Sequence, residues 1–185
     1  MMGEKLKNIP TDRKLYAFEL DDVLYPYQDY ILQIYYLFGS FYEFIEGTVK
    51  ANDLAHFMKK VYMHHGEDMV FDAAKEVYGI DEKYQENLER LKANGILPLR
   101  LELYEEAKQL LLSLLEKGKQ ICVLTKGNPV EQLNKLKFFE WGALEQYRKS
   151  IKIYFVDELL HQQIDIIPYL AEEFTVNEED IFVVH

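Results

Sequence analysis

The chain has 185 residues, and its 21 Lys and Arg against 32 Asp and Glu give a formal charge of −11 at pH 7. Hydrophobic residues make up 49% and charged residues 29%, a globular composition that excludes a disordered or fibrous chain. The acidic balance, with a pI near 4.9, argues against binding to nucleic acid or to an anionic membrane, since phosphate recognition needs clustered Lys and Arg.

The sequence carries no feature that predicts export or membrane insertion. No apolar run approaches the roughly 18 residues needed to cross a bilayer. Residues 1–13 are polar and charged, without the apolar stretch of a signal peptide. The single cysteine, Cys122, excludes an intrachain disulfide. We therefore expect a cytoplasmic protein of one domain, or of one domain with an insertion.

The predicted elements begin with a buried strand over residues 15–20, which delivers the acids Glu19, Asp21 and Asp22 to its carboxyl end. From Pro26 to about residue 95, apolar residues recur at helical spacing and glycines punctuate them, so this block is predicted to be all-helical. Its many Tyr and Phe side chains are expected to form mostly core. The sequence thus predicts a helical insertion directly after the first strand.

Helices and strands alternate after Pro98, and this alternation predicts a mostly parallel, Rossmann-like sheet covered by helices. The expected α/β core therefore comprises residues 14–25 and 98–185, and the helical domain comprises residues 26–97. The predicted elements of the second part are a helix over 103–117, a strand over 120–124, a helix over 129–139, a strand over 151–156, a helix over 162–174 that Pro168 should kink or shorten, and a strand over 181–184.

The residues that follow the strands predicted over 15–20 and 120–124 indicate a candidate site. Glu19, Asp21 and Asp22 follow one strand, and the turn Thr125-Lys126-Gly127-Asn128 follows the other and opens a helix. Ligands of parallel sheets bind beyond the carboxyl ends of the strands. Clustered carboxylates suit Mg²⁺, and a helix N-terminus with a glycine turn suits an anion. Together they predict phosphoryl chemistry.

The same residues also have purely structural interpretations. The three acids alone are consistent with an ordinary acidic turn, and Thr125 with a simple strand-end hydroxyl. Residues 127–129 are consistent with a turn and a helix start. The strand before the acids, the turn after the later strand and the size of the insertion together favour the functional interpretation.

The run from Phe18 to Pro26 resembles the first motif of the haloacid dehalogenase-like hydrolase superfamily, which usually reads Asp-x-Asp-x-Thr/Val-Leu at the end of the first strand. The run from Val123 to Asn128 resembles its second motif, and the helical block lies where the family inserts a helical cap. The resemblance implies an α/β core with a cap over 26–97, and the activity of a Mg²⁺-dependent phosphatase acting on a small phosphorylated metabolite.

The resemblance also implies roles for individual residues. Glu19 stands at the position of the nucleophilic Asp and Asp21 at that of the general acid/base, and the metal would bind Glu19 and the main-chain carbonyl of Asp21. Tyr25 and Tyr27 are nearest to these acids and would line the substrate pocket. The residues of the second motif would bind phosphate: Thr125, Lys126, Gly127 and Asn128.

Departures from the family pattern point to impaired catalysis. Glu19 is one methylene longer than Asp, and in-line attack is sensitive to displacements of about an ångström. The stretch 157–163, where the charge-neutralising third motif is expected, contains no Lys or Arg, and His161 is the nearest candidate cation. The sequence stops at His185, before the acidic fourth motif and the C-terminal part of the sheet that the family carries.

Two functions of different class remain. The first is a haloacid dehalogenase-like phosphohydrolase with Mg²⁺ as cofactor, impaired to the point of a pseudoenzyme. The alternative is a non-catalytic binding or interaction protein that associates, as a homo-oligomer or with a partner, through an exposed edge strand at 181–184. Neither function involves nucleic acid or a membrane.

Overall fold

The computed structural model describes Leu6 and residues 8–185, so the polar segment predicted over residues 1–13 lies partly outside the described residues. The described chain divides into two compact units. The α/β unit comprises the residues up to Tyr27 together with Arg100–His185, and the helical unit comprises Gln28–Leu99. None of the described helices combines the length and the apolarity that crossing a membrane requires.

Six strands lie in the described part of the α/β unit, and all of their pairings are parallel. In chain order they are β1 (Leu15–Glu19), β2 (Leu101–Glu102), β3 (Gln120–Thr125), β4 (Phe139–Glu140), β5 (Lys152–Phe155) and β6 (Ile181–Val184). The main sheet has the order β5-β3-β1-β6, and β2 pairs with β4 separately. This sheet confirms the predicted α/β class. The short pair β2 and β4 was not predicted, because two residues show no periodicity.

Eight α-helices complete the described elements. They are α1 (Tyr27–Glu46), α2 (Ala51–His65), α3 (Val70–Tyr78), α4 (Gln85–Asn94), α5 (Glu105–Glu116), α6 (Pro129–Phe138), α7 (Val156–His161) and α8 (Ile166–Phe174). Four 3-10 helices accompany them, at Glu67–Met69, Glu82–Tyr84, Gly142–Ser150 and Glu178–Asp180. The block after β1 is therefore helical throughout, as its apolar spacing predicted.

The helix predicted over 162–174 begins later than expected. It is α8 (Ile166–Phe174), and the short helix α7 (Val156–His161) that precedes it was not predicted. Gln163, between the two helices, has a left-handed backbone with φ of 59°. Pro168 does not kink α8, because it is the third residue of that helix. An N–H in the first turn has no intrahelical acceptor, so its loss costs nothing there.

The core of the α/β unit lies against the buried strands β1 and β3. Leu15 and Ala17 of β1 and Cys122 of β3 are fully buried, and helix α8 adds Leu170 and Phe174 to the same cluster. Burial disfavours the thiolate and raises the pKa of Cys122 to about 12. Cys122 is thus a structural thiol, as its place in a predicted strand indicated.

Aromatic rings dominate the core of the helical unit. Phe38 stacks on Tyr42 with ring centroids 6.3 Å apart, and Tyr84 meets Tyr42 edge-on at 5.4 Å. Such pairs stabilise a core beyond the area they bury. Two aromatics of α1 differ from the expectation of a common core, since Tyr36 is 47% and Phe44 87% exposed.

Candidate functional site

The carboxyl end of β1 leads into a tight turn that carries the first predicted acids. Asp22 has a φ of 60°, a left-handed conformation that Asp tolerates because its short side chain bonds locally. Its Oδ1 accepts a hydrogen bond from the Tyr27 amide at 3.0 Å. The turn brings Tyr25 back towards the strand end, where its hydroxyl donates to Asp21 Oδ1 at 2.6 Å. The turn thus positions the Tyr25 hydroxyl as one hydrogen-bond partner of Asp21.

The second partner of Asp21 is a buried lysine that no motif singled out. Lys135 Nζ on α6 lies 3.0 Å from Oδ2 and 3.2 Å from Oδ1 of Asp21. It also lies 3.2 Å from Glu131 Oε1 and 3.4 Å from Gln132 Oε1, and 4.7 Å from the ring centre of Tyr27. The Lys135 side chain is only 1% exposed. An ammonium has three N–H donors, and oxygens of three side chains surround this one.

The local sequence of α6 explains how Lys135 reaches this position. The side chain of Asn128 caps the helix by accepting from a first-turn amide, and Pro129 occupies the first helical position. Glu131 and Lys135 are four residues apart and so lie on one face of the helix. That spacing was visible in the sequence. Exposed ion pairs have the same spacing, so the burial of this one could not be predicted.

Glu19 has a separate pair of basic neighbours. Its Oε1 accepts a hydrogen bond from Lys126 Nζ at 2.6 Å and lies 3.0 Å from His185 Nδ1. Burial opposes the ionisation of Glu19, but the hydrogen bonds from Lys126 and His185 outweigh it and hold the pKa of the carboxyl below its ordinary value. Because β1 and β3 are neighbours in register, the Lys126 that follows β3 can reach the end of β1.

The turn after β3 uses most of its polar groups internally. The Gly127 amide, with a φ of 92°, donates to Asp157 Oδ2 at 2.7 Å. The Asn128 side chain serves as the cap of α6. Thr125 is 2% exposed, and its Oγ1 has no hydrogen-bond partner among the described residues. Of the four predicted phosphate-binding residues, Thr125 therefore has a buried hydroxyl that lacks a partner among the described residues, and its role towards phosphate stays a prediction.

The residues present do not fit a Mg²⁺ site. Mg²⁺ requires near-octahedral oxygen ligands at about 2.0–2.1 Å. Glu19 and Asp21 instead bind the ammonium groups of Lys126 and Lys135. Within the described part of the chain, no group of three or more His, Cys, Asp or Glu side chains could hold a metal ion. The metal-binding role of Glu19 stays a prediction that its ion pair with Lys126 opposes, and that of the Asp21 main-chain carbonyl stays a prediction.

The two tyrosines predicted to line a substrate pocket both contact this cluster. Tyr25 is fully buried, and its ring meets Phe139 edge-on with centroids 4.8 Å apart. The ring of Tyr27 faces the Lys135 ammonium, a cation–π contact that favours a buried positive charge. Both rings support the Asp21–Lys135 pair, and their role towards a substrate stays a prediction.

Several solved structures resemble this chain. A dehalogenase with an intermediate complex is 14% identical at a TM-score of 0.50, over 95% of this chain and 77% of that one. A haloacid dehalogenase-like family hydrolase from Xanthomonas campestris is 16% identical at 0.50, over 93% and 73%. A Thermotoga maritima protein assigned as a beta-phosphoglucomutase is 17% identical at 0.52, over 92% and 74%. No protein-family model and no curated protein sequence matches the chain. These likenesses confirm the haloacid dehalogenase-like fold.

Replacing Lys135 with Met should cost more stability than replacing Lys126 with Met. Lys135→Met leaves Asp21 and Glu131 without their shared cation. Breaking a fully buried pair costs about 3–5 kcal/mol, and we expect about 2–3 kcal/mol here because Asp21 is partly exposed. Lys126→Met removes an exposed pair, for which about 0–1 kcal/mol is expected. Chemical denaturation of both variants measures the difference, and equal losses would contradict the ranking.

The ion pairs of Glu19 should contribute more to the stability of the folded state as the pH rises from about 3 to about 7. Because its folded pKa lies below the ordinary value of about 4.3, Glu19 stabilises the folded state above that pH. This contribution is lost as the pH falls through the lower folded pKa. The free energy of unfolding of wild type minus that of Glu19→Gln, measured from about pH 3 to about pH 7, should therefore increase with pH. A difference that grows on acidification would show that the sign is wrong.

Proposed function

We propose that this chain uses the haloacid dehalogenase-like fold as a catalytically impaired member, which binds or associates rather than hydrolysing phosphate esters. One observation carries the proposal. Each acid expected to perform the chemistry has a lysine ammonium as its partner, Glu19 with Lys126 and Asp21 with Lys135. The ammonium groups of Lys126 and Lys135 are thus already paired with carboxylates of the chain itself.

The neighbours of Glu19 argue against its action as a nucleophile. In-line attack needs a carboxylate oxygen that can approach the phosphorus atom at the right distance and angle. Glu19 Oε1 accepts a hydrogen bond from Lys126 and is close to His185. These bonds stabilise the ionised carboxyl, which makes its oxygen a weaker nucleophile and ties it to two side chains. The additional methylene of Glu moves the oxygen further from the position of an Asp.

The neighbours of Asp21 argue against general acid/base catalysis. A general acid must carry a proton on an oxygen within hydrogen-bond reach of the leaving group. Asp21 Oδ1 accepts from Tyr25 and Lys135, and Oδ2 accepts from Lys135. Proton transfer through Asp21 would require the ion pair with a buried lysine to break. The ground-state hydrogen bonds therefore favour a structural carboxylate.

The charges around the turn after β3 disfavour a phosphate dianion. The Gly127 amide already donates a hydrogen bond to the Asp157 carboxylate, and the Glu19 carboxylate lies beside Lys126. A phosphate ester would have to displace one carboxylate and approach the other. The unpartnered Thr125 hydroxyl supports retention of a small ligand with a hydrogen-bonding group. The competing function, a Mg²⁺-dependent phosphatase acting on a small phosphorylated metabolite, would have to separate both acids from their lysines.

Phosphate release from a panel of phosphomonoesters, with and without Mg²⁺, tests the proposal. We expect equal and negligible release from wild type and from an identically purified Asp21→Asn variant, because Asp21 is held in an ion pair. The variant controls for contaminating phosphatases, which would act equally in both preparations. Mg²⁺-dependent release by wild type that Asp21→Asn abolishes would refute the impaired state.

A second observation favours association through β6. This strand is an edge of the main sheet, paired with β1 alone among the described residues. Its sequence Ile-Phe-Val-Val is apolar, and Ile181, Phe182 and Val183 are only partly buried. An apolar edge strand offers backbone N–H and C=O groups to another strand. The occupant that we propose is a second copy of this chain.

Static light scattering across a concentration series tests this association. We expect wild type to dimerise and Val183→Lys to remain monomeric, because a charge on β6 opposes strand pairing. Ile153→Lys, on the other edge strand β5, is the matched control and should still dimerise. Thermal unfolding of both variants establishes that they are folded. Monomeric wild type at the highest concentration, or an equal effect of both substitutions, would exclude pairing through β6.

A further inference from the structure

We propose that the Lys135 ammonium is a built-in replacement for a metal ion, which holds Asp21 and keeps divalent cations away from it. The inference goes beyond the proposed function, because it concerns what binds Asp21 whether or not any substrate is turned over. A chain that binds Mg²⁺ through Asp21 and releases no phosphate would overturn this inference and leave the proposed function standing.

The surroundings of Lys135 are those of a bound cation. Oxygens of Asp21, Glu131 and Gln132 lie 3.0–3.4 Å from Nζ, and the Tyr27 ring faces it at 4.7 Å. These are hydrogen-bond distances for an ammonium, longer than the roughly 2.0–2.6 Å of Mg²⁺ and Ca²⁺ bonds to oxygen. The Lys135 side chain is 1% exposed, so water has little access to the ammonium itself. The chain itself therefore supplies the cation that an acidic pocket needs.

Repulsion between two neighbouring positive charges explains why a second cation is excluded. Asp21 and Glu131 contribute two negative charges, and Lys135 compensates one of them. A divalent cation on the Asp21 carboxylate would lie within a few ångströms of the ammonium, where like charges repel strongly in a partly buried site. The Asp21 carboxylate can therefore bind either the ammonium or a metal ion. The ammonium is favoured because it is covalently attached to the chain.

Removal of the ammonium should open a cation site. Lys135→Met keeps the length of the side chain and deletes its charge, which leaves two carboxylates and one amide oxygen around a methyl group. Oxygen donors of this kind suit Ca²⁺ and lanthanide ions, which accept irregular geometry. Mg²⁺ demands near-ideal octahedral geometry and should gain less. A merely structural ion pair would instead leave the variant less stable and without affinity for cations.

Titration with Tb³⁺, followed by its luminescence under tyrosine excitation, tests the inference on the full chain. We expect Lys135→Met to bind Tb³⁺ at least about tenfold more tightly than wild type, a change that corresponds to ~1.4 kcal/mol. Ca²⁺ should compete with Tb³⁺, and a second substitution, Asp21→Asn, should abolish the gain. Lys137→Met removes an exposed lysine from the same helix and is the matched control, so it should behave as wild type.

Two results would overturn the inference. One is the absence of any gain in a folded Lys135→Met. The other is cation binding by wild type that Asp21→Asn removes. If Lys135→Met does not fold, the melting temperatures of wild type and Asp21→Asn with EDTA, Mg²⁺ and Ca²⁺ decide the question. The inference predicts that the wild-type melting temperature is the same in all three conditions, whereas stabilisation of wild type alone by either ion contradicts it.

Discussion

A positive charge persists in the interior of a protein only when acceptors surround it, because the cost of its dehydration exceeds most single interactions. Lys135 satisfies this constraint with groups from three segments: Asp21 from the turn after β1, Tyr27 from the start of α1, and Glu131 from its own helix α6. Holding the ammonium thus holds the turn against α6. The conformation of that turn decides where Asp21 lies and which of its oxygens are engaged.

The fold sets the position of this site, whereas the direction of its lysines decides its chemistry. The parallel order β5-β3-β1-β6 brings the end of β1 beside the end of β3, where enzymes of this architecture bind their ligands. Catalysis of group transfer requires donors preorganised towards the charge that develops in the transition state. Here Lys126 and Lys135 are directed at Glu19 and Asp21 instead. The same scaffold therefore carries a site whose two lysines are paired with its own carboxylates before any ligand binds.

Periodicity and motif placement predicted the fold well and the site only in outline. The strands β1, β3 and β6 each contain four consecutive apolar residues, which made them predictable. The short helix α7 was missed because its six residues give too little apolar periodicity. The start of α8 was placed four residues too early because the left-handed Gln163 before it has no sequence signature. Lys135 was missed for a related reason. Its role arises from tertiary burial, and a lysine four residues after a glutamate normally indicates a solvated helix face.

The arrangement of the site depends on Lys135 being a buried cation bound by Asp21. The most direct measurement is an NMR correlation spectrum of the lysine side-chain ammonium groups of ¹⁵N-labelled protein, with Lys135 identified from its absence in Lys135→Met. The account predicts a Lys135 ammonium with slow hydrogen exchange and Overhauser contacts to the Tyr27 ring, unchanged when Mg²⁺ is added. An ammonium that exchanges as fast as those of exposed lysines, or that Mg²⁺ displaces, would contradict the account.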